Sequence, residues 1–223
     1  MGGGRRPWAP WPRYLAAVRV TDNHGATATD ALAISAGNTP PTATITSPTP
    51  GLTWKVGDTI SFAGSATDQQ DGNLGASNLS WKLTMEHCPS NCHEHNVQGW
   101  SGMASGSFMA PDHEYPSYLV LELTATDSGG LSDTQTIPIY PKTVSLSFAS
   151  SPSGLQLTLN GNVFTTPYTK SVIQGSANGV AAATPQTLGG STYDFGSWSD
   201  GGARVHSLTA NGNQSLTATF TKR

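Results

Sequence analysis

Charge is scarce in this chain. Asp, Glu, Lys and Arg make up 11% of its 223 residues, and the formal net charge is −3. No basic stripe exists, and Arg5-Arg6 is too short to make one, so a nucleic-acid partner is disfavoured. Long apolar runs are missing as well. None approaches the roughly 18 residues that a membrane-crossing helix needs. No window sustains a 3.6-residue apolar repeat, and no long helix is expected. Nucleophile elbows, phosphate-cradling glycine loops and dinucleotide fingerprints are all absent. Cysteine occurs only at 88 and 92.

What the chain has instead is Thr, Ser, Val, 25 Gly and 15 Pro. That mixture favours short strands joined by many turns, hence an all-β protein. The length suits about two domains. Low-charge, Thr-rich β modules of this kind belong to exported proteins, so an extracellular location is expected.

Residues 1–13 are rich in Gly, Arg, Pro and Trp and lack an apolar signal core. We expect them to be disordered or vector-derived, or the start of a truncated reading frame. Residues 14–37 read as strand, Asn23-His24-Gly25 turn, strand. The same pattern returns at Leu121 to Asp127, Ser128-Gly129-Gly130 and Thr134 to Ile139. Asp22 and Asp127 lie 105 positions apart, which fits one sandwich domain. The first copy therefore reads as the last hairpin of a truncated domain. A lone hairpin is marginal in water. It should pack on the following domain, pair with another chain as an oligomer contact, or be disordered.

Asn38-Thr39-Pro40-Pro41 signals a linker. Six or seven strands then fit an immunoglobulin-like sandwich over 38–141. In Leu79, Trp81, Leu83 and Met85 every second residue is apolar, so this strand has one core face and one wet face. A smaller β domain follows over 142–223, with an Asn160-Gly161 turn and few ionisable groups.

Chemistry is concentrated between residues 85 and 118. Four of the six histidines fall there, with both cysteines and Glu86, Glu94, Asp112 and Glu114. His93 and His95 stand at i and i+2, so in a strand their imidazoles share a face about 6.5 Å apart. His87 ends the inward series of its strand, and His113 arrives from a separate segment beside Asp112. His87, His93, His95, His113 and Asp112 thus form a candidate ligand set for a divalent metal, zinc by donor type. The bland alternative is a hydrogen-bonded polar loop in which the histidines orient turns. His24 and His206 read as isolated surface residues. Cys88 and Cys92 either join a Cys/His zinc site or form a disulfide, and an exported chain favours the disulfide. Such a bridge contributes about 2 kcal/mol by loop entropy. A zinc ion with an open position would carry an acidic water, with Glu114 or Glu94 as candidate general base for ester or phosphoester hydrolysis.

Two further constellations are weaker. Asp68, Asp71 and Asp127 resemble carboxylate groups that bind calcium at domain ends, against a plain Asp/Gly turn. Trp100 is a candidate sugar-stacking platform, against burial in a core.

Residues 14–36 and 118–140 resemble polycystic-kidney-disease-type (PKD) and related immunoglobulin-like repeats of bacterial secreted proteins. Residues 40–220 resemble the C-terminal accessory region of secreted proteins with a glucose/sorbosone dehydrogenase-type propeller. The stretches carrying this are Ser80-Trp81, the run from His87 to His95, and the run from Ala110 to Tyr118. Phe195 to Gly202 resembles a bacterial surface-repeat module. The resemblance implies an accessory role, with parent enzyme domains or a polysaccharide as partners. It implies no activity, because the propeller has no counterpart here. Three functions follow as expectations: a metal-binding accessory module, a metal-dependent hydrolase, or a carbohydrate-binding module.

Overall fold

The computed structural model describes residues 13–35 and 37–223. Apart from Arg13, the N-terminal stretch discussed above lies outside the described residues. The chain is all-β, as its composition implies, with one short 3-10 turn at Ala76–Asn78. The first strands are β1 (Arg13–Thr21), β2 (Thr27–Ser35), β3 (Thr42–Ser47), β4 (Thr53–Trp54), β5 (Thr59–Asp68) and β6 (Gly72–Asn73). Then come β7 (Leu79–His87), β8 (His93–Ser101), β9 (Ser105–Met109), β10 (Ser117–Thr126) and β11 (Ser132–Pro141). The remainder is β12 (Thr143–Ser151), β13 (Gln156–Leu159), β14 (Asn162–Thr165), β15 (Tyr168–Ile173), β16 (Ala177–Ala182), β17 (Gln186–Leu188), β18 (Ser191–Trp198), β19 (Val205–Thr209) and β20 (Gln214–Lys222).

Two sandwiches follow the β1–β2 hairpin. In the first, a sheet ordered β4-β11-β10-β7-β8 faces a sheet built on β3, β5, β6 and β9. In the second, β15-β12-β20-β18-β17 faces β14-β13-β16-β19. The period-2 pattern explains the first core. Leu79, Trp81, Leu83 and Met85 of β7 and Leu119, Leu121, Leu123 and Ala125 of β10 are all buried. Antiparallel pairing sets them side by side, with Leu121 opposite Leu83 and Leu123 opposite Trp81. Trp54 is also buried, and its indole N–H donates to the Ile139 carbonyl at 2.9 Å.

Close packing at this core is tight at Gly64. A Cβ there would stand 2.6 Å from Leu123 Cδ2 and 2.9 Å from the Thr44 carbonyl oxygen. The second contact is backbone and has little room to yield. Gly64→Ala should therefore lower stability by about 1–3 kcal/mol, seen as an earlier urea midpoint with an unchanged slope. A midpoint equal to wild type would show that the two sheets separate freely here.

The two sandwiches are joined almost without a linker. Only Lys142 separates β11 from β12. Its N–H donates to Trp54 O at 2.6 Å, and its carbonyl accepts from Gln174 N at 2.8 Å. Val56 N donates to Gln174 O at 3.0 Å, and Ile173 is fully buried within the first domain's core. These bonds hold the second domain against the end of the first.

The hairpin is different. β1 and β2 pair with each other, and Tyr14, Leu15, Val18, Val20 and Leu32 are exposed. It forms as a hairpin but does not bury its apolar side chains against the sandwich that follows. The reason is visible in the repeat: Tyr14, Val18 and Val20 align with Leu119, Leu123 and Ala125, which need an opposing sheet.

Candidate metal centre

The inward row of β7 runs past its apolar part. After Met85 the next inward position is His87, so the core face ends in an imidazole. Antiparallel pairing places His93 of β8 opposite His87, and His95 opposite Met85. Both β8 histidines therefore lie on the core-side face. The hairpin that joins these strands is closed by a disulfide between Cys88 and Cys92. The bridge fixes where His87 leaves β7 and where His93 enters β8.

His113 comes from the loop between β9 and β10. That loop is tied at three points. Gly57 N donates to Ala110 O, Cys88 N donates to Pro116 O, and Ala177 N donates to the Asp112 carboxylate, each at 2.9 Å. The ligating atoms of His87, His95 and His113 all lie within 4.8 Å of one another. Nitrogens around tetrahedral zinc sit about 3.3 Å apart, from bonds of about 2.0–2.1 Å. To share one ion, the nitrogens that stand up to 4.8 Å apart would have to draw together by up to about 1.5 Å. His93 flanks the group, with its ring centroid 4.7 Å from His95 and 5.1 Å from His87.

The tautomers suit this role. Nδ1 of His113 is 3.1 Å from the Glu114 carbonyl oxygen, which can only accept. Nδ1 therefore carries the proton, and Nε2 presents its lone pair. The His87 pKa is lowered, chiefly by burial and then by the neighbouring His113 and His93, with Glu114 opposing. Its neutral, ligating form is thus favoured. Behind it, on β10, Ser117 is paired with His87, and its buried hydroxyl has no hydrogen-bond partner. Such a group is an outer-shell partner in waiting. Its only signal in the sequence is that Ser117 opens an otherwise apolar inward series.

Other expected site residues lie elsewhere. Glu94 faces the opposite side of β8, where it pairs with Lys82 at 2.7 Å. Strand alternation forbids it from reaching the centre its neighbours line, so it cannot serve there as a base. Asp112 is turned towards the second domain by its bond to Ala177 and is not in the converging group. Glu114 remains beside the centre and is exposed.

Trp100 is no open platform. It is half-buried, with its ring 4.8 Å from Phe62 and 6.1 Å from Phe108. Asp68, Asp71 and Asp127 meet around a turn, but backbone and side-chain donors occupy them. Asp68 accepts from Gln70 N and Asp71 N, Asp71 from Ser128, and Asp127 from Asn38 and Leu131. Of these carboxylate oxygens only Asp68 Oδ2, which is buried, is left without a hydrogen-bond partner. His206 is not a free surface residue. It bonds Asp200 at 3.0 Å and packs edge-on against Trp198.

Compared with known proteins, the chain matches no family model and no curated sequence.

Proposed function

We propose that this chain is an extracellular accessory module that binds one divalent metal ion, zinc foremost, through His87, His95 and His113. The observation that carries it is the convergence of three imidazoles from β7, β8 and the loop before β10. Three histidines without a thiolate fit zinc, and copper(II) or nickel(II) to a lesser degree in this geometry. The disulfide takes both cysteines out of the ligand set and suits an oxidising compartment. The likeness to PKD-type and propeller-linked accessory regions supports a spacer or presenting role within a larger exported protein. Among the described residues no helix is long and apolar enough to cross a membrane.

Equilibrium dialysis of chelator-stripped protein against zinc tests this reading. One zinc per chain is expected, and at about 100 times Kd it should stabilise the fold by about 2.7 kcal/mol. Zinc uptake no greater than that of a variant lacking all three histidines would overturn it.

A second reading has one observation in its favour. The three nitrogens leave a fourth position, and exposed His95 leaves the centre open to solvent. When bound, zinc supplies an acidic water at such a position. Glu114 is the carboxylate placed to take its proton. Zinc-dependent cleavage of an activated ester that disappears with Glu114→Gln, at unchanged zinc content, would identify a hydrolase.

A further inference from the structure

We propose that the groove between the two sandwiches is a binding site for a ring-bearing carboxylate. The groove has a volume of about 510 Å³, within the usual range of small-ligand sites. One wall is His113, Glu114 and Tyr115; the other includes Phe164, Tyr168 and Lys170. It is preformed, because the Asp112 bond to Ala177 N and the Lys142 and Gln174 ladder hold its two walls together.

The second wall is the unclosed side of the second sandwich. β14 and β15 are the edge strands of its two sheets. Tyr168, Lys170 and Val172 lie on one face of β15, opposite Phe148, Leu146 and Val144 of β12, so Lys170 points with the core-facing row. Lys170 is itself exposed where it lines the groove, so its ammonium is free to meet a ligand there. It makes no ion pair among the described residues. The rings of Phe164 and Tyr168 are stacked, with centroids 4.4 Å apart, and both are half-buried at the groove. Together they offer an apolar surface for one face of a ring and a cation for its acid group. The anion is a monoanion. The Glu114 carboxylate on the facing wall would repel a phosphate dianion more than a carboxylate. Asn162, exposed at the groove, adds an amide for a ring hydroxyl. An acidic sugar and a small aromatic acid share this chemistry.

The site does not depend on the histidine centre, although His113 borders both. Calorimetric titration of the full chain, metal-stripped, with galacturonate, galactose and phenylacetate tests it. Binding of the acidic sugar or of phenylacetate is expected, at least about 10-fold tighter than the neutral sugar. Lys170→Gln should erase that preference, and Tyr168→Ala should weaken both acids. Preference for galacturonate identifies a sugar acid, and preference for phenylacetate an aromatic one. Zinc dialysis of the same variants should match wild type, which separates failure of this site from failure of the metal centre. No binding by either acid would overturn the proposal. So would a Lys170→Gln protein that binds as wild type but aggregates, since Lys170 would then only guard an edge strand.

Discussion

Replacing His113 with alanine should cost about 100-fold or more in zinc affinity and leave the metal-free fold almost unchanged. Loss of an outer-shell partner already costs about 10–100-fold, and His113 supplies a ligand atom. The fold is spared because the loop is held by Ala110, Asp112 and Pro116, none of which uses the imidazole. Dialysis gives the affinity and urea unfolding gives the stability. His95→Ala should behave alike. An affinity unchanged by either substitution would move the ion to another site. Acid should act on the same nitrogens. The folded pKa of His87 lies below its ordinary 6.5, so the neutral ring is retained at neutral pH. A depressed histidine pKa contributes stability above the unfolded value and loses it as pH falls through the folded value. The ring is partly exposed, so that contribution is small. Zinc release is the larger effect: binding should persist at neutral pH and weaken steeply by about pH 5.5, because protons compete with the metal for imidazole nitrogens.

Particular residues show how far the sequence was readable. Alternation from Leu79 to Met85 gave β7 and its inward face, and extending it by two put His87 at the mouth of the core. The i, i+2 rule placed His93 and His95 together for the same reason, because a strand has a fixed period. Asp112 and Glu94 show where adjacency misleads. Each neighbours a converging histidine, yet alternation sends Glu94 to the far face, and an interdomain hydrogen bond claims Asp112. That bond runs to Ala177, 65 positions away, and local pattern carries no trace of it. Nor does pattern reveal the groove, since its walls belong to separate domains. Trp100 was ambiguous because its face depends on an irregularity in β8.

That irregularity supplies the second strong expectation. Trp100 and His95 are an odd number of residues apart, so a regular strand would turn them to opposite faces. Both face the core because β8 carries a bulge. Leu83 is paired with Gln98 and Thr84 with Asn96, leaving Val97 as the extra residue. Deleting Val97 alone would only flatten the bulge, leaving His95 and Trp100 four residues apart and both ends in register; deleting Asn96 and Val97 together leaves them three apart and forces a choice between the two ends of the strand. The histidine end is fixed covalently, since the Cys88–Cys92 disulfide sets His93 opposite His87. The other end is held by packing of a half-buried indole on Phe62 and Phe108, worth about 2–3 kcal/mol. The disulfide should win. Trp100 then turns outward, stability falls by about 2–3 kcal/mol, and zinc affinity stays within a few-fold of wild type. Val97→Ala, which keeps the residue count, should change neither by much. Removing the bridge as Cys88→Ser with Cys92→Ser should reverse the outcome of the double deletion: the indole keeps its place, the histidines turn to solvent, and zinc binding is lost. Urea midpoints, tryptophan emission and zinc dialysis on the four proteins read out each case. Lost zinc binding in the disulfide-intact double deletion would show instead that Trp100 sets the register of β8.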